Sequence, residues 1–206
     1  MSICVAIGLP LLGGLVLFLK HGMEEKIRRI YLEALCLVTS VLVWIALLTW
    51  KEGVITLFRF YGGFSVDFGV DGMTKLFAGM VSLMWPLVML YTFEYMKHDE
   101  HRNSFLAFYV MTYGITLGVA FSANVLTLYV FFEMLTLVTI PLVTHYRDSE
   151  SLWAGRSYAY YLIGGAALAF APVVLVTVMG NGGAFVFGGS MTGTYDPHVL
   201  RILYLF

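Results

Sequence analysis

Three acids fall inside long apolar runs of this sequence: Glu33, Glu94 and Glu133. About nine residues of its run precede Glu133 after Asn124 and about eleven follow it, and a helix rises about 1.5 Å per residue. Glu133 therefore falls near the centre of an apolar layer about 30 Å thick. A carboxyl group at that depth is costly and by default marks a path for protons or ions. Tyr129, four residues before it, and Thr136, three after, share its helix face. Thr139, Thr144 and His145 continue towards one end on partly overlapping faces. Such groups could hold a chain of waters; the plainer alternative is that the hydroxyls satisfy backbone carbonyls.

Glu33 and Glu94 lie close to the ends of their runs, where an interfacial acid pairs with a nearby base. Glu94 is kept as a secondary candidate on a proton path. No lysine lies inside an apolar run to serve as a counter-charge for Glu133. Its partner is then Arg156 or another interfacial base, a second subunit, or sequence outside this chain.

Other chemistry is thinly represented. Cys4 and Cys36 sit far apart in apolar stretches and read as small hydrophobes. His21, His98, His101, His145 and His198 mostly fall between apolar runs, as interfacial histidines do. In Lys97-HDEHR, His98 and His101 flank Asp99 and Glu100, but no further ligands lie nearby, so a solvated loop is the favoured reading over a metal site. There is no cysteine cluster, haem ligand pair or dinucleotide-binding glycine motif. The expectation is no metal, no cofactor and no catalytic residue, with any redox chemistry on partner subunits.

The elements that carry these residues belong to a membrane. The chain is 60% hydrophobic and 12% charged, with a mean hydropathy of +0.84. A soluble domain would carry about twice that charge. A net charge of −1 gives no argument for nucleic acid. Six runs are long enough to cross as helices: Ser2–Leu19, Ile30–Trp50, Leu76–Met96, Ser104–Ala123, Val125–His145 and Ser157–Gly180. A seventh opens at Val199, and the sequence ends at Phe206. The first run lacks a basic leader and carries its charge afterwards, the reverse of a cleaved signal. The expected fold is all-α: a polytopic bundle of six transmembrane helices plus the start of a seventh, one membrane domain over 1–206.

Lys20, Lys26, Arg28, Arg29, Lys97, Arg102, Arg147 and Arg156 fall on one side of that bundle, and Lys51, Arg59, Lys75 and Arg201 on the other. The richer side should face the cytoplasm, which puts the N-terminus outside the cell membrane. Between Lys51 and Lys75, two β-type runs flank Gly62-Gly63, predicting a small hairpin outside the membrane. The glycine-rich stretch from Asn181 to His198 reads as irregular surface structure. Gly114 and Gly118, and the patch Gly164-Gly165-Ala166-Ala167 with Ala169 and Ala171, read as helix-packing surfaces. Pro86, Pro141 and Pro172 fall inside spans, where each removes one backbone donor.

The stretch Val66-DFGVDGMTKLFAGMVSLMWPLVMLYTFEYM resembles the approach to and course of the third helix of the antiporter-like membrane subunits. Ala123-NVLTLYVFFEMLTLVTIPLV is similar to their fifth helix. That family holds the D-type component of the Mrp antiporter, the large pumping subunits of complex I, and membrane-bound hydrogenase equivalents. The resemblance implies a fifth-helix glutamate, here Glu133, electrostatically coupled to a lysine on a seventh helix to drive proton movement. The lysine has no counterpart in these 206 residues, which reads as a fragment or one half of a split protein, with a short scaffolding homologue as the third option. The resemblance further implies partner membrane subunits, including whatever supplies that lysine, within an NADH dehydrogenase-like or hydrogenase-type complex. The expected function is translocation of protons, or exchange of sodium for protons, through Glu133. The alternative is a scaffolding role in which Glu133 is a hydrogen-bonded structural acid.

Overall fold

The computed structural model describes residues 2–20, 23–51, 53–60, 64–99, 101–180, 182–186, 189, 198 and 201. Among them run α1 (Ser2–Leu19), α2 (Glu25–Thr49), β1 (Val54–Arg59), β2 (Ser65–Gly69), α3 (Gly72–Tyr95), α4 (Arg102–Ala120), α5 (Val125–Val143) and α6 (Ser149–Met179). All six helices are long and apolar enough to cross a membrane. The protein is an integral, multi-pass membrane protein.

Three of the six helix starts are chemically marked. Asp71, Asn124 and Asp148 precede α3, α5 and α6, and each side chain accepts a hydrogen bond from the backbone N–H three residues on, that of Thr74, Thr127 or Ser151. Such caps satisfy donors that a helix leaves unpaired. Two helices begin earlier than their apolar runs. α2 starts at Glu25 rather than Ile30, because Glu, Lys and Arg are good helix formers and Arg29 donates to Glu25 at 2.7 Å one turn away. α6 starts at Ser149 rather than Ser157, where Asp148 supplies the cap. This corrects the expectation that bases and outlying acids sit at helix ends or in loops: Arg156 is two turns inside α6, and Glu33 two turns inside α2.

α4 occupies the centre, packed on α1, α3 and α5, while α2 joins α1 to α3 and α6 lies against α5. Its glycines permit this. A side chain at Gly114 would meet the Ile7 carbonyl of α1, and one at Gly118 would run into the Phe131 ring of α5. By contrast nothing lies within reach of Gly164 or Gly165, so that part of the α6 patch packs on none of the described residues. The core lies between α1, α2, α3 and α4, around Leu17, Leu32, Val43, Met89, Val110 and Tyr113. Within it Ser40 Oγ lies 2.9 Å from the Tyr113 hydroxyl and donates to the Ser82 carbonyl at 2.7 Å. Trp85 stacks on Tyr113 with ring centroids 5.1 Å apart.

β1 and β2 pair antiparallel, Val54 opposite Gly69 and Arg59 opposite Ser65, with an irregularity between Thr56 and Phe58. Gly62 and Gly63, His21, Asn181, 190–197 and most of the seventh run lie outside the described residues. Part of the stretch after α6 is more regular than its composition suggested: Ala184 bridges Asn124, and Phe185 N–H donates to the Ala123 carbonyl at 3.0 Å.

Candidate functional site

The site is built on α5, and α5 is pinned at both ends. At its start the Asn124 side chain caps the helix through Oδ1 and donates from Nδ2 to the Ser65 carbonyl at 2.9 Å and Asp67 Oδ2 at 2.7 Å. The Asp67 N–H in turn donates to Thr127 Oγ1 at 2.8 Å, and the Ala123 N–H to the Asp67 carbonyl at 2.9 Å. Asn124 is 1% and Thr127 0% exposed, so these bonds are sheltered from water. An amide donor and a carboxylate acceptor make a charge-assisted pair, stronger than a neutral one. β2, the α4–α5 turn and the residues after α6 are thereby tied to the first turn of α5.

At the other end, α5 closes on Thr144, whose N–H donates to the Ile140 carbonyl at 3.0 Å. Arg147 adopts the left-handed conformation, φ 57°, and turns the chain into α6. Gly155 of α6 faces the Thr144 side chain so closely that a β-carbon there would collide with it. His145 is buried, with Nε2 3.0 Å from Asp99 Oδ2. The approach is close but is not an aligned hydrogen bond, since Nε2 has no hydrogen-bond partner as the ring is set. Burial works against ionising Asp99, but His145, the His101 N–H donated to Oδ1 at 2.7 Å, and the charge of His101 prevail and lower its pKa. Asp99 and His101 are therefore not simply part of a solvated loop: both stand against His145 at the end of α5.

Between these anchors stands Glu133, in the middle of α5 and half-buried. Phe131, two residues earlier, packs towards α4 over Gly118, whereas Tyr129, on the Glu133 face, reaches α6 and donates to the Ala166 carbonyl at 3.0 Å. Glu133 thus lies on the α6 side of its helix. Among the described residues no ion pair is formed with its carboxylate. Arg156 is exposed and close to the level of Gly155 and Thr144. Glu133 is 11 positions back along α5 from Thr144 (144 − 133), so the two charges are separated by about 10 Å or more along the helix axis.

The hydroxyls are placed less freely than a water chain would need. Thr136 Oγ1 donates to the Glu133 carbonyl at 2.8 Å, Thr139 Oγ1 to the Thr136 carbonyl at 2.8 Å, and Thr144 Oγ1 to the Ile140 carbonyl at 3.1 Å. Each keeps lone pairs with which to accept from water. Thr139 also lies 3.0 Å from the Tyr158 hydroxyl of α6. Glu94 is elsewhere: exposed, paired with Lys97 at 3.2 Å, and on a shallow crevice between α2 and α3 that also receives Arg29 and Glu33. It is brought near neither Glu133 nor His145.

Nothing in the sequence alone gave Asp67, Asn124 or Asp99 a place in this arrangement. Asn124 had a readable signal, an Asn immediately before an apolar run. Asp67 and Asp99 had none, because their partners lie 57 and 46 positions away (124 − 67 and 145 − 99).

Fold and site together define a polytopic helical membrane protein organised around a helix pinned at both ends with a central carboxyl group. Residues 61–106 match the family described as NADH-ubiquinone oxidoreductase (complex I), chain 5 N-terminus. Over 102 residues, 48% of this chain, the sequence is 34% identical to an A-type component of the Na+/H+ antiporter of Alkalihalophilus pseudofirmus. Over 174 residues, 80% of this chain, it is 26% identical to the A1 component of the Na+/H+ antiporter of Staphylococcus aureus. Those matches cover 13% and 21% of the relatives' own length. Among solved structures, respiratory complex I from Thermus thermophilus with bound NADH matches with a TM-score of 0.77 at 20% identity, over 100% of this chain and 42% of that one. The archaeal membrane-bound sulfane sulfur reductase matches with a TM-score of 0.71 at 14% identity, over 86% of this chain and 37% of that one. At those identities the two structures share the fold.

The chain is thus similar, over part of its length, to antiporter-like membrane proteins of Na+/H+ antiporters and complex I, and it spans about a fifth or less of the curated relatives it matches. The antiporter relatives are A-type components, so the D-type resemblance is not carried forward.

Proposed function

We propose that this chain is an ion-translocating membrane component of a multi-subunit complex and that Glu133 is the group through which protons pass. The single observation that carries the reading is a carboxyl group half-way along an apolar helix, facing α6, with no counter-charge bound to it among the described residues. A charge in that setting is expensive, and proteins keep it where an ion must pause. Similarity to Na+/H+ antiporter components and to the complex I chain 5 N-terminus family supports the same reading. The relatives' names favour exchange of sodium for protons over proton movement alone.

In this reading the carboxylate takes a proton from the His145 end of α5, is neutral while loaded, and gives the proton up when a cation approaches from the α6 side. That cation comes from a partner helix or another protein of the complex, since Arg156 is too far along α6 to reach it without rearrangement. The His145 end faces the cytoplasm and the N-terminus lies outside the cell membrane, by the lysine and arginine bias.

Glu133→Gln keeps the size and hydrogen-bonding capacity of the side chain but cannot hold a proton reversibly. In membrane vesicles carrying the assembled complex it is expected to abolish transport with complex yield kept. Normal transport by that variant sinks the reading. A scaffolding role has one observation in its favour: Thr136, Thr139 and Thr144 all bond back to helix carbonyls, as purely structural threonines do. In that case Glu133→Gln lowers the yield of complex and leaves transport per assembled complex intact.

A further inference from the structure

The Asp99–His145 contact is left over once Glu133 is given its role, and it joins the α3–α4 connection to the end of α5. We propose that Asp99, His101 and His145 form the proton-collecting mouth of the path to Glu133, a site where protons from the aqueous phase are captured before they enter α5. The proposal rests on the Glu133 reading and adds the place and the groups of uptake.

Burial is the first ground. His145 is 8% exposed, and a charged imidazole that far from water is tolerated only beside a counter-charge. Asp99 supplies one at 3.0 Å, with its own carboxylate only 18% exposed. The carboxylate is held in place by the His101 N–H, so the pair does not depend on a chance side-chain rotation. Histidine is the side chain whose charge ordinarily changes near neutral pH, which suits it to catch and release protons.

Layout is the second ground. His101 is exposed, and its ring stands edge-on to that of His145 with centroids 6.4 Å apart, so an exposed imidazole leads to a buried one. Both border a recess of about 320 Å³ that also takes in Ser104, Thr144 and Arg147. That volume holds several waters, each of which needs roughly 30 Å³. From Thr144 the threonine positions of α5 lead back towards Glu133.

Among the described residues the groups facing His145 are few. The α3–α4 connection presents Asp99 and His101, α4 presents the uncharged Phe105 ring, and the turn after α5 presents Tyr146 and Arg147. Arg147 opposes entry of a metal cation into the recess, whereas a proton can be handed over through neutral water. The step balances simply. A proton from solvent adds to a neutral imidazole and passes by water to the ring nitrogen of His145 that does not face Asp99. The imidazolium is held against the Asp99 carboxylate. The same nitrogen then releases the proton to water beside Thr144, and His145 is neutral again.

The test is the pH profile of initial transport rate in vesicles carrying the whole complex, for wild type, D99N, H101Q, H145Q and E133Q. A collecting site matters most where protons are scarce. The D99N-to-wild-type and H145Q-to-wild-type rate ratios are therefore expected to fall roughly tenfold between about pH 6 and about pH 9, with a smaller fall for H101Q. A ratio that stays constant across that range overturns the proposal, because a merely structural contact lowers the rate equally at every pH. If H145Q does not assemble, D99N and H101Q decide the matter, since both side chains reach solvent. E133Q separates the two ideas. Inactive at every pH beside a flat D99N ratio, it keeps the Glu133 reading and removes this one; fully active, it removes both.

Discussion

The hydroxyls around Glu133 and the carboxylates at the two ends of α5 show how differently single residues are used here. Thr136, Thr139 and Thr144 are absorbed by their own helix, whereas Asp67 and Asp99 reach across 57 and 46 positions to hold α5 in place. Asn124→Ala should therefore cost more than a lost helix cap, which alone is about 1 kcal/mol. It also removes the Nδ2 donor from the Ser65 carbonyl and from Asp67 Oδ2, which keeps only the Ser65 hydroxyl, and a lost hydrogen bond to a charged group costs about 1.5–3 kcal/mol. The expected result is a clear fall in melting temperature in detergent, and a melt equal to wild type would deny the network its weight. The cap acids titrate in a defined direction. The Thr74 backbone N–H lowers the pKa of Asp71, and the Ser151 hydrogen bonds lower that of Asp148, from an ordinary value of 3.8. A group with a depressed folded value stabilises the fold above its unfolded value and loses that contribution as pH falls through the folded one. Melting temperature should thus drop on acidification below about pH 4 in wild type, and drop less in Asp148→Ala.

Among the elements, α4 and α5 meet over a glycine and α5 and α6 meet over a few polar contacts, which sets their tolerance. Gly118→Leu drives a side chain into Phe131, and overpacking of this kind costs about 1–3 kcal/mol or more. The α4–α5 pair should separate, read as lost assembly and increased protease sensitivity. Gly164→Leu meets nothing among the described residues and should leave the fold of this chain intact. A gel-filtration and melting comparison of the two variants checks the contrast; equal damage would mean that the open face of α6 is packed after all. α5 itself is scarcely buried within the chain, with Thr127 its one buried residue. It is held by Phe131 against α4 and by hydrogen bonds at its ends, and its Glu133 face lies on the α6 side, away from that packing.

For the whole molecule, the asymmetry of lysine and arginine predicts which side each anchor faces. Single cysteines at Lys97→Cys and Lys51→Cys, in a chain whose own Cys4 and Cys36 are replaced, should react oppositely with a membrane-impermeant thiol reagent added outside intact cells. Lys51→Cys is expected to label and Lys97→Cys to stay protected; the reverse pattern inverts the orientation and puts the His145 recess outside. The bundle gives this asymmetry a use, because the Asp67–Asn124 knot and the Asp99–His145 contact lie at opposite ends of α5. One end has direct backbone and side-chain hydrogen bonds from a strand. The other has a carboxylate–imidazole contact beside a recess large enough for water.

How much of this was legible in the residues follows from what each feature depends on. The six helices were readable because an apolar run of about twenty residues has one cheap conformation in lipid, with every backbone group bonded within its own segment. α2 and α6 begin earlier than their apolar runs because helix formation follows propensity and capping, not apolarity alone, so Glu25 and Asp148 set the starts. Glu133 was legible as an anomaly, since a carboxyl group in a run such as FFEML contradicts its surroundings. Its setting was not. That Tyr129 turns to Ala166, that Gly118 faces Phe131 and Gly164 faces nothing, and that Asp99 lies against His145 are matters of which helices become neighbours. A local pattern carries no information about neighbours, because the small residues and polar groups that make contacts look alike whether or not another helix arrives. The sequence by itself determined the six spans and the mid-helix acid; tertiary packing alone decided that α5 is anchored at both ends and that a loop acid and a buried histidine stand at one of them.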